Sequence, residues 1–199
     1  MEIHEMGSNS GCQMTQELKL KELTKDCHTR AEKTSFMKRM LKKQISMKEY
    51  YVFLSNQFVM YSVLEARAAR LGVFSGIEDI KRTERIMIDL AELERLGGFS
   101  APESLVSTRK YVEYIDSIGT NPDKLLSHIY VRHMGDMSGG QFIKRLIPGS
   151  GRHYDFSTDV NILKDQLRTK LNNEMADEAN HCFRMVIDFL EEIGSTEIE

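Results

Sequence analysis

The chain has 199 residues, of which 41% are apolar, 3 are proline and none is tryptophan, and its formal net charge is −3. That length suffices for one domain with its own core, and the charge excludes nucleic acid as a main partner. Strong helix formers are plentiful and short alternating segments with turn signals are missing, so composition favours an all-α fold.

The start, MEIHEMGSNSGCQ, carries no apolar run. It reads as a disordered lead-in over 1–14, not a signal peptide, ahead of a single domain over 15–199. A first helix is expected over 15–32, and a second, capped by Thr34, to about 44. Ser46-Met47-Lys48-Glu49 is a capping-box pattern that opens a long helix to about 71. Phe53, Gln57, Met60, Tyr61 and Leu64 recur along it at helical spacing. Ser75-Gly76-Ile77-Glu78 is a second such pattern, whose helix should stop at Gly97-Gly98. Pro102 opens another that ends near Gly119. Asn121-Pro122 pairs a cap with proline at the first helical position, and this helix should run to about 146, before Pro148-Gly149. After a loop over 149–157, Thr158 or Asp159 starts a helix through 172, and a last helix covers 176–193. No stretch is apolar for long enough to cross a membrane. Cys12, Cys27 and Cys182 form neither a disulfide framework nor a paired metal motif. A soluble, cytoplasmic, monomeric protein with reduced thiols is the expectation, with an organellar stroma the other compartment that fits.

Two constellations carry chemistry. Gly135, Gly139 and Gly140 interrupt the helix expected from Pro122. Each interior glycine costs about 1 kcal/mol against alanine, so the three cost roughly 3 kcal/mol together. A helix weakened in this way bends or lets something approach its backbone. The approaching object is either a planar ligand or another helix crossing closely through small residues. Asp136 lies among these glycines, with Ser138 beside it and Arg132 one turn earlier. Its carboxylate is suited to organising water and relaying protons, and equally to a salt bridge with Arg132.

The first helix supplies the second constellation. Lys21, Lys25, His28 and Glu32 share one stripe, and Leu20, Leu23, Cys27 and Ala31 form the expected core face opposite. Two lysines for carboxylates, an imidazole for a metal and a glutamate to orient it suit haem, a metal in a plane with two propionates. Lys33, Lys38, Arg39, Lys42 and Lys43 continue a basic run that is either a solvated face or a patch for an acidic ligand or redox partner. A rival arrangement starts from Glu178-Ala179-Asn180-His181, one E-x-x-H motif of the carboxylate di-iron type, although no second copy is present.

The run Tyr130-Val131-Arg132-His133-Met134-Gly135-Asp136-Met137-Ser138-Gly139-Gly140-Gln141 resembles the distal-helix motif of the haem oxygenase family, usually Y-x-R-Y-L-G-D-L-S-G-G-Q. LKELTKDCHTRAE at 20–32 resembles that family's proximal helix, YSVLE at 61–65 its third stretch, and LRTKLN at 167–172 its basic segment near the haem edge.

The resemblance implies a single-domain helical fold with haem sandwiched between a proximal helix and a glycine-kinked distal one. It implies His28 as the iron ligand and Glu32 as the residue that holds it. Lys21, Lys25, Lys164 and Arg168 would steer the propionates, and Tyr130 would contact the haem edge. Gly135, Ser138 and Gly139 would lie against the haem face. Asp136 would anchor a distal water network supported by Tyr61 and Arg132, as the catalytic set. Haem b would be both cofactor and substrate, cleaved with O2 to biliverdin, CO and ferrous iron, with opening at the α-meso carbon. Electrons would come from a ferredoxin, a flavodoxin or a flavoprotein reductase. Three positions depart from the pattern: His133 replaces a common aromatic residue, Met134 a common leucine, and Val186 an asparagine that joins the water network in some members. A haem carrier or storage protein using the same pocket is the non-enzymatic alternative.

Overall fold

A computed structural model of the protein describes residues 19–198. The expected lead-in over 1–14 and Cys12 lie outside the described residues. Those residues form nine α-helices and no strand: α1 Leu20–Leu23, α2 Lys25–Glu32, α3 Ser35–Leu41, α4 Met47–Arg70, α5 Thr83–Gly97, α6 Val106–Ser117, α7 Pro122–Ile143, α8 Val160–Arg168 and α9 Ala176–Ser195. The all-α expectation holds, and the differences from it have local causes. The first helix is interrupted at Thr24, whose hydroxyl bonds back to the Leu20 carbonyl at 2.9 Å. The interruption turns Leu23 out of the expected core face, and it is 50% exposed, while Leu20 and Ala31 are buried. The second capping-box pattern does not open a helix. Its Glu78 instead accepts from the Gly76 amide at 3.1 Å within a 3₁₀ turn, and α5 starts at Thr83.

Strong caps fix the two helices that matter most. Ser46 and Glu49 make the full reciprocal box at the start of α4, with bonds of 3.1 and 2.8 Å. Asn121 accepts from the Lys124 amide at 3.0 Å, and Pro122 supplies the first residue of α7. Asp159 does the same for α8 through the Asn161 amide at 2.8 Å. Helix α4 packs on α5, α6 and α7, and α9 packs on α2, α3, α6 and α7. Stacked Phe36, Phe53 and Tyr50, with Phe189 against Phe53, fill the core between α3, α4 and α9.

Two buried charges tie these helices together. Glu65 on α4 accepts from the Arg82 amide (2.6 Å), the Thr83 amide (3.2 Å) and hydroxyl (2.6 Å), and His133 Nε2 of α7 (3.0 Å). Burial pushes its carboxyl up, but these donors and the charge of His133 outweigh it and hold Glu65 below the ordinary value. Arg82 is 1% exposed and donates to the carbonyls of Ile80, His153 and Asp155 at 2.9, 3.0 and 2.7 Å, with Phe156 under its guanidinium at 3.9 Å. The segment after α7 is thereby stitched to the start of α5.

A further polar cluster joins α6, α7 and α9. Glu178 accepts from Tyr114 OH at 2.6 Å and meets His128 at 3.1 Å and Lys124 at 3.3 Å. Burial raises its carboxyl, yet the bonds from His128 and Tyr114 and the charges of His128 and Lys124 win, bringing it down to about 2. A folded value below the unfolded one stabilises the fold above the unfolded value, about 4.3, and that contribution disappears as pH falls through the folded one. Glu178→Gln should therefore cost roughly 1–3 kcal/mol at neutral pH. In denaturant titrations, the gap from wild type should narrow as pH is lowered below about 5.

Candidate haem site between two helices

A cavity of about 410 Å³ opens between α2 on one side and α7 on the other, closed at the back by α4 and α9. His28, Ala31 and Glu32 form the α2 wall. His28 keeps 55% of its side chain exposed, its ring meets the edge of Phe183 at 5.7 Å, and Glu32 Oε2 lies 3.8 Å from its Nδ1. That last distance is an ion-pair contact, too long for a hydrogen bond. The exposed imidazole at the cavity wall is the arrangement a single axial ligand needs. Among the described residues no three His, Cys, Asp or Glu side chains gather to hold a metal ion by themselves. Glu178 is taken up by its own cluster and His181 packs on Tyr114 at 4.5 Å, so neither residue of the E-x-x-H motif is set toward a shared metal site among the described residues.

The opposite wall is α7, which stays helical from Pro122 to Ile143 through all three glycines. The glycines do two different jobs. A side chain added at Gly135 would meet nothing within 4 Å, and one at Gly139 only Ile143 Cδ1 at 3.9 Å, so both present bare backbone to the cavity. Gly140 is the close-packing case: a β-carbon there would overlap the Tyr154 ring. Of the two objects that this glycine pattern allowed, the open space faces Gly135 and Gly139, and the tight packing belongs to Gly140. A flat group fits the cradle left by the first pair, with apolar Phe183, Val186, Leu190 and Met40 around it.

Asp136 also lines the cavity. Tyr61 OH donates to its Oδ2 at 2.7 Å. Burial pushes the Asp136 carboxyl up, while the charge of His153, the Tyr61 bond and the charges of His133 and Arg82 pull it back without cancelling the rise. The alternative salt bridge to Arg132 is not made. Arg132 turns away, donating to Gln57 Oε1 at 2.9 Å and stacking over Tyr111 at 4.2 Å. It still borders the cavity, and its buried Nε has no partner.

The cavity lining thus brings together His28, Glu32, Tyr61, Arg132, Gly135, Asp136, Ser138 and Gly139 of the expected set. Lys21, Lys25, Lys164, Arg168 and Tyr130 are not part of it. The first two lysines are exposed, Arg168 pairs with Asp165 at 2.6 Å, and Tyr130 OH lies 3.4 Å from the Thr24 hydroxyl. Phe183, His153 and Tyr154 are lining residues that no sequence pattern marks. His153 and Tyr154 come from a loop, where helical periodicity gives no signal.

Known proteins similar to this chain belong to one family. The family model described as heme oxygenase matches residues 14–192. Heme oxygenase 1 of Bos taurus is 29% identical over 201 residues, covering 87% of this chain and 70% of that protein. Heme oxygenase 1 of Rattus norvegicus is 30% identical over 189 residues, covering 84% and 65%, so this chain spans roughly two thirds of the mammalian relatives. Among solved structures, heme oxygenase-1 of the cyanobacterium Synechocystis in complex with heme superposes with a TM-score of 0.78 at 26% identity, covering 87% of this chain and 90% of that one. Heme oxygenase of Leptospira interrogans gives 0.77 at 26% identity, covering 87% and 97%.

The glycines allow a direct check. Gly135→Ala should stabilise the ligand-free protein by up to about 1 kcal/mol while weakening binding of a planar ligand. Gly140→Ala should lower the melting temperature, because Tyr154 must move. Thermal unfolding with and without haem separates the two.

Proposed function

The chain belongs to the haem oxygenase family, oxidoreductases that open haem to biliverdin, and we propose that its haem is held and cleaved in the cavity between α2 and α7. The observation that carries this reading is the pairing of walls: an exposed His28 opposite a glycine-bared stretch of helix with Asp136 in it. Bound haem supplies the iron that activates O2 and the porphyrin ring that is opened, giving biliverdin, CO and ferrous iron.

His28 would hold the haem iron from the α2 side, and Glu32, one turn on and 3.8 Å from its Nδ1, would orient the imidazole. Gly135 and Gly139 carry no side chain into the cavity, so the α7 backbone there would lie against a planar ligand. Ser138 borders the same face. Asp136 works through water. Tyr61 fixes its Oδ2, and its other oxygen remains to accept from cavity water and pass a proton on. Arg132 borders this water with an uncommitted Nε. Val186 lines the cavity as an apolar residue, so the network draws its donors from Tyr61 and Arg132 rather than from α9.

Lys21 and Lys25 at the exposed edge of α1 and α2, with Lys164 and Arg168 on α8, are the cations proposed to meet the propionates as haem enters; Tyr130 contacts the haem edge from α7. Opening at the α-meso carbon, to biliverdin IXα, is the outcome the family resemblance implies. The donor is a ferredoxin, flavodoxin or flavoprotein reductase, drawn to the basic surface of Lys33, Lys38, Lys42 and Lys43. Among the described residues no helix is long and apolar enough to cross a membrane.

Asp136→Ala should keep haem binding and its absorbance band but lose biliverdin formation in the presence of reductant and O2. Full turnover by that variant would overturn the role given to Asp136. His28→Ala should change the haem spectrum, and an unchanged spectrum would remove His28 as ligand.

A further inference from the structure

The cavity that Asp136 lines also contains a histidine that neither the motif nor the proposed mechanism uses. His153 sits in a 3₁₀ turn after α7, is 4% exposed at its own surface and borders the cavity. Its Nδ1 lies 2.7 Å from Asp89 Oδ2 on α5. Asp89 is itself buried, and its carboxylate also accepts from the Arg152 and His153 amides at 2.8 and 2.9 Å. Burial pushes the Asp89 carboxyl up, but the bonds from His153 and Arg152 prevail and keep it below the ordinary value. An ionised carboxylate only accepts, so Nδ1 must carry a proton. That leaves Nε2 as the ring nitrogen able to take up a proton, in the tautomer a carboxylate-oriented histidine adopts.

The position is held firmly. Arg82 donates to the His153 carbonyl at 3.0 Å, and Gln141 of α7 donates to the Tyr154 carbonyl at 2.6 Å. Gly140 leaves room for the Tyr154 ring, which packs on the His153 imidazole at 3.8 Å. Of the interactions that oppose the effect of burial on Asp136, the charge of His153 comes first. The other groups acting on Asp136 are Tyr61 of α4, His133 of α7 and Arg82 ahead of α5. Tyr50 and Tyr154 are buried phenols that feel the charges of both Asp136 and Asp89.

We propose that the Asp89–His153 pair is a titratable unit built into the wall of this cavity, with His153 a positioning residue whose protonated imidazole favours the charged Asp136 carboxylate. Only N–H and O–H bonds change: Nε2 takes a proton from cavity water or returns one, and Asp136 does the same from its side. The inference rests on the haem-cleavage reading, but its first test does not need haem.

The first measurement is a carboxyl NMR titration of the haem-free protein. His153→Asn keeps a donor toward Asp89 and places nothing at Nε2. In this variant the Asp136 midpoint should rise by about 0.5 pH unit or more, because the imidazole whose protonated form favours the carboxylate is gone. An unmoved midpoint in a folded variant overturns the proposal. Should that variant not fold, wild type and Asp136→Asn give the same information. The ring nitrogen signals of His153 should show an inflection at the Asp136 midpoint that Asp136→Asn erases; its persistence in the variant, or its absence in wild type, overturns the proposal.

The second measurement is the pH profile of haem cleavage. The acid limb of His153→Asn should move to higher pH while the plateau above it is kept. A uniform fall at every pH means a structural role alone and overturns the proposal. Failure of the wild type to cleave haem would strike the parent reading, while the haem-free titration would still decide the coupling.

Discussion

A carboxylate buried between helices must be supplied with donors, or the helices cannot close around it. Glu65 is that carboxylate, and its donors come from the start of α5 and from His133 of α7. The bond sets the register between α4 and α7. One turn back on α4 from Glu65 is Tyr61, and three residues on from His133 is Asp136, so the next contact between the two helices is the Tyr61–Asp136 hydrogen bond. The placement of Tyr61 and Asp136 at the cavity follows from a structural bond outside it. His133, which departs from the aromatic residue common in the family motif, is a working part of this frame, because its Nε2 is the donor α7 contributes to Glu65.

The cavity exists because α7 forgoes side chains where it faces α2. Gly135 and Gly139 leave space into which nothing else packs, and the helix gives up roughly 1 kcal/mol at each for it. Asp136 adds a second cost of the same kind, since burial disfavours its charged form. Stability is given up locally for a site, while Glu65, Arg82 and Asp89 restore order around it with donors and acceptors matched to each charge.

Helices, caps and the two walls of the site were legible because each rests on local chemistry. Ser46 with Glu49, and Asn121 before Pro122, announce α4 and α7 within four residues. His28 and Asp136 stand out because periodicity places each of them among unusual neighbours on a helix. What could not be read is set by contacts between segments distant in the chain. The break at Thr24 exposes Leu23, and Glu78 caps a turn and no helix. Arg132 pairs with Gln57 across helices and not with Asp136 one turn away. His153 is the plainest case: it lies in a loop, and only Asp89, more than sixty residues earlier, shows what its imidazole is set up to do.

The central claim is that one cavity both binds haem and opens it, and a single-turnover absorbance record tests it most directly. Purified protein is mixed with one equivalent of haem, then given a reductant system and O2. The haem band should decay as a bilin band rises, with release of CO. A haem band that stays intact under those conditions would leave a binding protein and no oxygenase, and would contradict the account.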